Sequence, residues 1–178
     1  MTRPPSKLAL VAMGLIILPA CSTVAELPTE RIAAATLTRP NGVPVGTVQL
    51  LANGNDLSLA VAVSGLPQGA HGFHLHTVGA CKAPDFSSAG GHLNPAGKAH
   101  GRMNPGGSHL GDLPNLEIGS GALTSTTIDL DDDRAEVLSS IFDDDGTAIV
   151  IHADADDYKT DPSGNAGSRI ACGVLKRV

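Results

Sequence analysis

The chain contains no tryptophan, one tyrosine and three phenylalanines among 178 residues, and only three cysteines. Cys21, Cys81 and Cys172 are too few and too scattered for a thiolate-rich zinc site. Basic residues are also scarce. Twelve Lys and Arg stand against eighteen Asp and Glu, for a formal charge of -6. That balance argues against nucleic acid as a partner, and an anionic substrate would need local positive charge to overcome the overall repulsion. Neither an internal repeat nor a nucleotide-binding glycine motif is present. The apolar run from Leu8 to Leu18 is too short to span a bilayer comfortably.

What is there begins with that run. Arg3 and Lys7 precede it and Leu18-Pro19-Ala20-Cys21 closes it, the plan of a secretory signal. The closing tetrapeptide resembles the lipobox of bacterial lipoproteins, which makes Cys21 the expected lipidation site; a soluble periplasmic protein cut nearby is the alternative. Residues 1–20 are therefore expected to be a lipoprotein-type signal peptide, 21–30 a tether and 31–178 a single folded domain. The periplasm or cell envelope is the expected location, with a lipid anchor to the membrane. Without Arg3 and Lys7, ten basic residues face eighteen acidic ones, a charge of -8. Cys81 and Cys172 remain as an even pair in an oxidising compartment. A bond between them would close a loop of about ninety residues and stabilise the fold by roughly 4 kcal/mol in the chain-entropy model. A metal-thiolate role for the pair is the competing reading.

The remainder is rich in Gly, Pro, Val, Ala and Thr, with short apolar runs between turn signals, which fits an all-β domain. Ile32–Thr38 and Val45–Leu51 read as a first hairpin around Pro40-Asn41-Gly42, and Leu57–Val63 alternates as a half-buried strand should. Further strands are expected over Gly72–His76, Ala122–Leu130, Ala135–Phe142, Ala148–His152 and Ile170–Lys176. The triplets Asp131-Asp132-Asp133 and Asp143-Asp144-Asp145 read as solvated hairpin turns rather than a calcium site. From Thr77 to Glu117 periodicity is lost. So long a loop needs a functional reason and some means of being tied down, and it carries three of the seven histidines.

His74 and His76, two apart in a strand, project from one face and can act as a rigid half-chelate. His92, His100 and His109 follow in the loop, and His109-Leu110-Gly111-Asp112 is a tight turn that can bring an imidazole and a carboxylate to one ion. His152 ends the apolar run Ala148–Ile151, facing out at a strand end. Each histidine alone is an ordinary residue; six with one aspartate suit two metal sites. Imidazole favours copper and zinc, whereas magnesium or calcium would require more oxygen ligands.

Gly72-Phe73-His74-Leu75-His76 resembles the copper-binding strand of copper–zinc superoxide dismutases. Ala89–Pro95, His109–Asn115 and Gly164–Val174 resemble further motifs of that family, and the likeness runs in order over about residues 32 to 178. The resemblance, to the bacterial exported type in particular, implies an eight-stranded Greek-key β-barrel or sandwich with long metal-binding loops. It implies copper at His74, His76, His92 and His152 and zinc at His92, His100, His109 and Asp112, with His92 bridging the two. It further implies a Cys81–Cys172 disulfide and a carboxylate, Asp156, that orients His74 and His100 from behind. Arg169 would dock superoxide beside the copper, and Arg169 and His92 would be the catalytic pair. His71 matches a structural histidine of the family. The chain departs from eukaryotic members in the extra segment Lys82–Phe86 and in a short, weakly charged stretch from His152 to Arg169. Steering lysines are therefore open, Lys98 and Lys159 being candidates, as is the choice between homodimer and monomer. A copper-buffering protein and a zinc hydrolase compete with the dismutase reading. The first would be expected to lack Arg169 or the bridge at His92; the second needs a general base, which no Glu near the motifs supplies.

Overall fold

The computed structural model describes residues 29–178. The signal segment, Cys21 and the tether as far as residue 28 lie outside the described residues. Glu30, the last residue of the expected tether, opens the first strand.

Strands β1 (Glu30–Thr38), β2 (Pro44–Asn53) and β3 (Asp56–Val63) form an antiparallel meander. In β3, Leu57, Leu59, Val61 and Val63 are all buried, and Leu50 and Val48 of β2 meet Leu59 and Val61 across the ladder. Period-two patterning thus sends one face of the meander inward. β4 (Gly69–His71) and β5 (Phe73–His76) follow. A long loop then runs to β6 (Leu116–Ile118), which pairs only with β4, and β7 (Thr124–Leu130) lies along β3. β8 (Ala148–His152), β9 (Arg169–Val174) and the two-residue β10 (Lys176–Arg177) complete the described elements. The main sheet has eight strands in the order β5-β8-β9-β1-β2-β3-β7, with β10 on β1, and is antiparallel throughout. The sheet curls round a core of aliphatic side chains, with Phe73 its single fully buried aromatic. The all-β expectation holds.

One expected strand is a helix. Residues 134–141 form α1 (Arg134–Ile141), capped by Asp133, whose side chain accepts from the N–H groups of Ala135 (3.0 Å) and Glu136 (3.1 Å). Val137 and Ile141 are its buried residues, four apart on one helical face. The sequence carried both helix signals: Asp133 followed three residues later by Glu136, and a spacing of four between core residues. Asp131-Asp132-Asp133 therefore leads into a helix instead of a hairpin, while Asp143–Gly146 is a turn closed by the Asp143 side chain on the Gly146 N–H.

The edge formed by β5, β8 and β9 has two buried faces. Phe73 and Leu75 of β5, with Ile149 and Ile151 of β8, enter the main core. His74 and His76 alternate to the other face, yet they are buried too. The long loop covers that face. Phe86 and Ala89 of the loop form a second apolar cluster with Ala148, Val150 and Cys172; burying a phenylalanine in this way contributes about 2 kcal/mol. Cys81 and Cys172 are disulfide-bonded, their Cα atoms 5.7 Å apart, which fastens the start of the loop to β9. The chain thus supplies by crosslink and covering contacts the order that its loop sequence cannot supply by periodicity. No helix among the described residues is long and apolar enough to cross a membrane.

Candidate metal centre

Two short loop segments dock on β5 by backbone hydrogen bonds and bring the remaining histidines to His74 and His76. The Leu75 N–H donates to the Gly111 carbonyl (3.0 Å), and Leu93 and Gly111 N–H groups donate to Leu75 and Leu93 carbonyls (each 2.8 Å). These contacts place His92 against His76 and Asp112 against His74 as isolated bridges. Gly111 permits the approach, because a Cβ there would collide with the Leu75 carbonyl oxygen. On the opposite side, the β8–β9 register shifts between Ile151 and His152, leaving His152 paired with Arg169. Such irregularities re-aim side chains, and the His152 ring is buried rather than facing out.

The outcome is two groups of metal-binding atoms, each within 4.8 Å of one another. One comprises His74, His76, His92 and His152; the other comprises His92, His100, His109 and Asp112. His92 belongs to both. The fixed acceptors around the rings determine which nitrogen carries a lone pair. His74 Nε2 faces Asp156 Oδ2 at 2.8 Å, so it carries the proton and leaves Nδ1 free. His76 Nδ1 donates to the Gly90 carbonyl (3.0 Å) and His152 Nδ1 to the Gly167 carbonyl (3.2 Å), which leaves Nε2 of each as the lone-pair nitrogen. Those two Nε2 atoms lie 3.4 Å apart. His74 Nδ1 and His92 Nε2 are buried without a hydrogen-bond partner among the described residues. An unpaired buried nitrogen is costly, and four converging imidazole lone pairs suit a copper ion.

The second group is as specific. Nδ1 of His92, His100 and His109 all lie 2.8–3.0 Å from one oxygen, Oδ1 of Asp112. His100 Nε2 faces Asp156 Oδ1 at 3.0 Å and so holds the proton there, leaving Nδ1 as the lone pair aimed at Asp112. Two lone pairs facing each other repel, so this arrangement fits a cation between them. Three imidazoles and one carboxylate match a closed tetrahedral zinc site. Asp156 therefore links the two groups, gripping His74 with one oxygen and His100 with the other, a hydrogen-bonding pattern that fixes ring orientation and tautomer.

Burial sets the charge state. It drives His76 down to about 2 against the pull of the Gly90 carbonyl. Burial likewise lowers His92 to about 4 despite the Asp112 contact, and His152 to about 3 with His74 nearby. For Asp156 burial acts upward, but the hydrogen bonds from His74, His100 and the Tyr158 N–H prevail and bring it to about 2. Asp112 is also raised by burial, yet His92 and the Gly101 and His109 N–H groups hold it well below the usual carboxylate range. At neutral pH the centre thus presents neutral imidazoles His76, His92 and His152 with ionised carboxylates, the states that metal ligation needs.

Arg169 lies beside the first group. Its guanidinium donates to the carbonyls of Phe86 (2.7 Å) and Gly90 (2.6 Å), so Gly90 holds both Arg169 and His76. Arg169 also forms part of the wall of a groove of about 820 Å³ that includes Arg39, Leu66, Pro84 and Asp85. The extra segment Lys82–Phe86 therefore supplies an anchor for Arg169. His71 stays out of both groups, its two nitrogens lying within hydrogen-bond distance of the His152 (2.8 Å) and Pro67 (2.9 Å) carbonyls. Lys98 and Lys159 are exposed. Sequence reasoning missed the roles of Phe86, Gly90 and Gly167, because backbone carbonyls carry no residue-type signal. It also missed Asn115, which clamps Asp156 from both sides and whose only trace was its place in the His109–Asn115 motif.

A curled antiparallel sheet bearing two histidine-rich ligand groups that share one imidazole defines an all-β protein with a paired-metal centre. A model of the family described as "Copper/zinc superoxide dismutase (SODC)" matches residues 45–175. Superoxide dismutase [Cu-Zn] 2 of Aquifex aeolicus is 40% identical over 182 residues, covering 96% of this chain and 99% of that protein. Superoxide dismutase [Cu-Zn] of Caulobacter vibrioides is 39% identical over 150 residues, covering 81% and 85%. The crystal structure of a SOD-like protein from Bacillus subtilis superposes with a TM-score of 0.75 at 40% identity, covering 80% of this chain and 97% of that one. The chain belongs to the copper/zinc superoxide dismutase family.

The depressed histidines dictate how the metal-free protein responds to acid. An unfolded histidine takes up its proton near 6.5, whereas folded His76, His92 and His152 do so only near 2 to 4. Between those values the unfolded state binds more protons, so stability is full above 6.5 and falls as pH drops. Below 3.8 Asp156 adds a loss of the same sign. The urea midpoint of the metal-free protein is expected to fall continuously from about pH 7 to about pH 4; a flat midpoint over that interval would show the rings titrating normally.

Proposed function

We propose that the chain dismutates superoxide with copper held by His74, His76, His92 and His152, and zinc by His92, His100, His109 and Asp112. The observation that carries this reading is His92. Its Nδ1 is directed at the zinc group and its buried, unpartnered Nε2 at the copper group. When bound, copper supplies one-electron cycling between Cu(II) and Cu(I), which with two protons converts two superoxide ions to oxygen and hydrogen peroxide, while zinc stays redox-inert.

The protein's own groups divide the remaining work. Arg169, fixed by Phe86 and Gly90, offers a positive charge beside the copper ligands to an anion that the net charge of the chain would otherwise repel. Nε2 of His92 is the atom suited to take up and release a proton during turnover, because Nδ1 stays engaged on the zinc side. Asp156 keeps His74 and His100 from rotating. Copper storage without turnover has no use for Arg169, and zinc hydrolysis needs an open zinc position and a base that the closed set of His92, His100, His109 and Asp112 does not provide.

The disulfide and the cell-envelope character of the leader support an exported protein. We further place it in the periplasm or cell envelope, anchored through lipid on Cys21.

Superoxide consumption by protein loaded with copper and zinc is expected to be fast, and negligible with zinc alone. Tightly held copper without turnover would instead favour copper storage. Arg169→Gln should slow turnover several-fold and flatten its dependence on ionic strength, and unchanged values of both would remove Arg169 from substrate docking. Cys21→Ser should shift the protein from the membrane to the soluble fraction of producing cells, whereas full membrane retention would rule out the lipid anchor.

A further inference from the structure

Tyr158 joins three segments that no single strand holds together. Its hydroxyl oxygen accepts the Asn115 N–H at 2.8 Å, just past the zinc-side turn. Asn115 in turn accepts from the Asp156 N–H (2.8 Å) and donates to the Asp156 carbonyl (2.9 Å). The Tyr158 N–H donates to Asp156 Oδ1 at 2.7 Å, the oxygen that faces His100 Nε2. On its other side, the Tyr158 carbonyl accepts the Met103 N–H at 2.9 Å, and the Arg102 guanidinium lies 4.1 Å over the centre of its ring. Between them, Gly101 donates to Asp112 Oδ2 at 2.7 Å and sits so close to the Tyr158 carbonyl that any Cβ would collide with it.

Tyr158 achieves this in a left-handed backbone conformation, φ 62°, that a tyrosine adopts only when its surroundings enforce it. Glycine would hold that φ without strain, and yet the position carries a large ring. What the ring and hydroxyl add is a tie between the carboxylate behind His74 and His100 and the segment that feeds Asp112.

We propose that Tyr158 is a positioning residue for the zinc side of the centre, acting through Asp156 and the Gly101–Met103 segment to slow release of the ion. The proposal rests on the assignment of His92, His100, His109 and Asp112 to zinc. Tyr158 touches no ligand nitrogen and no substrate. It acts by denying Asp156 the freedom to leave His100 and Asp112 the freedom to swing away from the ion, so its effect belongs in metal release.

The test is zinc release from the copper- and zinc-loaded full chain into a chelating dye at neutral pH. Tyr158→Phe removes only the hydroxyl, and release is expected to accelerate several-fold, less than the roughly 10- to 100-fold usual for losing a direct hydrogen-bond partner of a metal ligand, because the hydroxyl reaches His100 only through Asn115 and Asp156. Tyr158→Gly, which removes the ring while relieving the φ strain, is expected to release at least as fast. With Co(II) in the zinc position, the visible absorption bands should change shape in Tyr158→Phe, a signature that a purely structural residue would not alter. The chain has no tryptophan and no other tyrosine, so zinc binding to the metal-free wild type should alter its tyrosine emission. Wild-type release rates in both variants, or unaltered cobalt bands, would overturn the proposal. His109→Ala separates the two ideas: if it retains zinc as the wild type does, the ligand assignment itself fails.

Discussion

Everything at this centre depends on fixing the back of each imidazole. A buried ring can present a lone pair to a metal only if its other nitrogen gives its proton to a defined acceptor. Here those acceptors are the Asp156 carboxylate for His74 and His100, the Gly90 carbonyl for His76 and the Gly167 carbonyl for His152. Two of the acceptors belong to loop backbone. The loop must therefore be as rigid as a strand, although nothing in its composition makes it so.

Rigidity comes from three sources acting on the same face of the sheet. Backbone bonds from Leu75 and Leu93 align the ligand-bearing segments with β5. The Cys81–Cys172 disulfide and the small cluster around Phe86 hold the first part of the loop against β8 and β9. Asn115 and Tyr158 then lock the Asp156 segment from the far side. The same contacts serve chemistry directly. The Phe86 carbonyl also orients Arg169, and the Gly90 carbonyl accepts from both Arg169 and His76, so the proposed docking arginine and a proposed copper ligand share one anchor.

Much of this was legible from residue types alone. Alternation in Leu57–Val63 identified a half-buried strand, and the i, i+2 spacing of His74 and His76 placed both on one face. The order of the histidine motifs pointed to the family and to which residues converge. The helix over Arg134–Ile141 was misread because its core residues are β-branched, a composition that mimics a strand, while the cap at Asp133 and the spacing of four went unweighed.

The sequence by itself determined the chemistry available: six imidazoles, a carboxylate and an arginine in a chain with too few thiols for a thiolate-rich zinc site. Those identities are chemical and need no coordinates. The tertiary structure alone decided which nitrogen of each ring faces inward, and that Phe86, Gly90 and Gly167 supply acceptors. It did so because these are matters of backbone direction and close approach. A carbonyl is the same in every residue, and only the fold decides where it points.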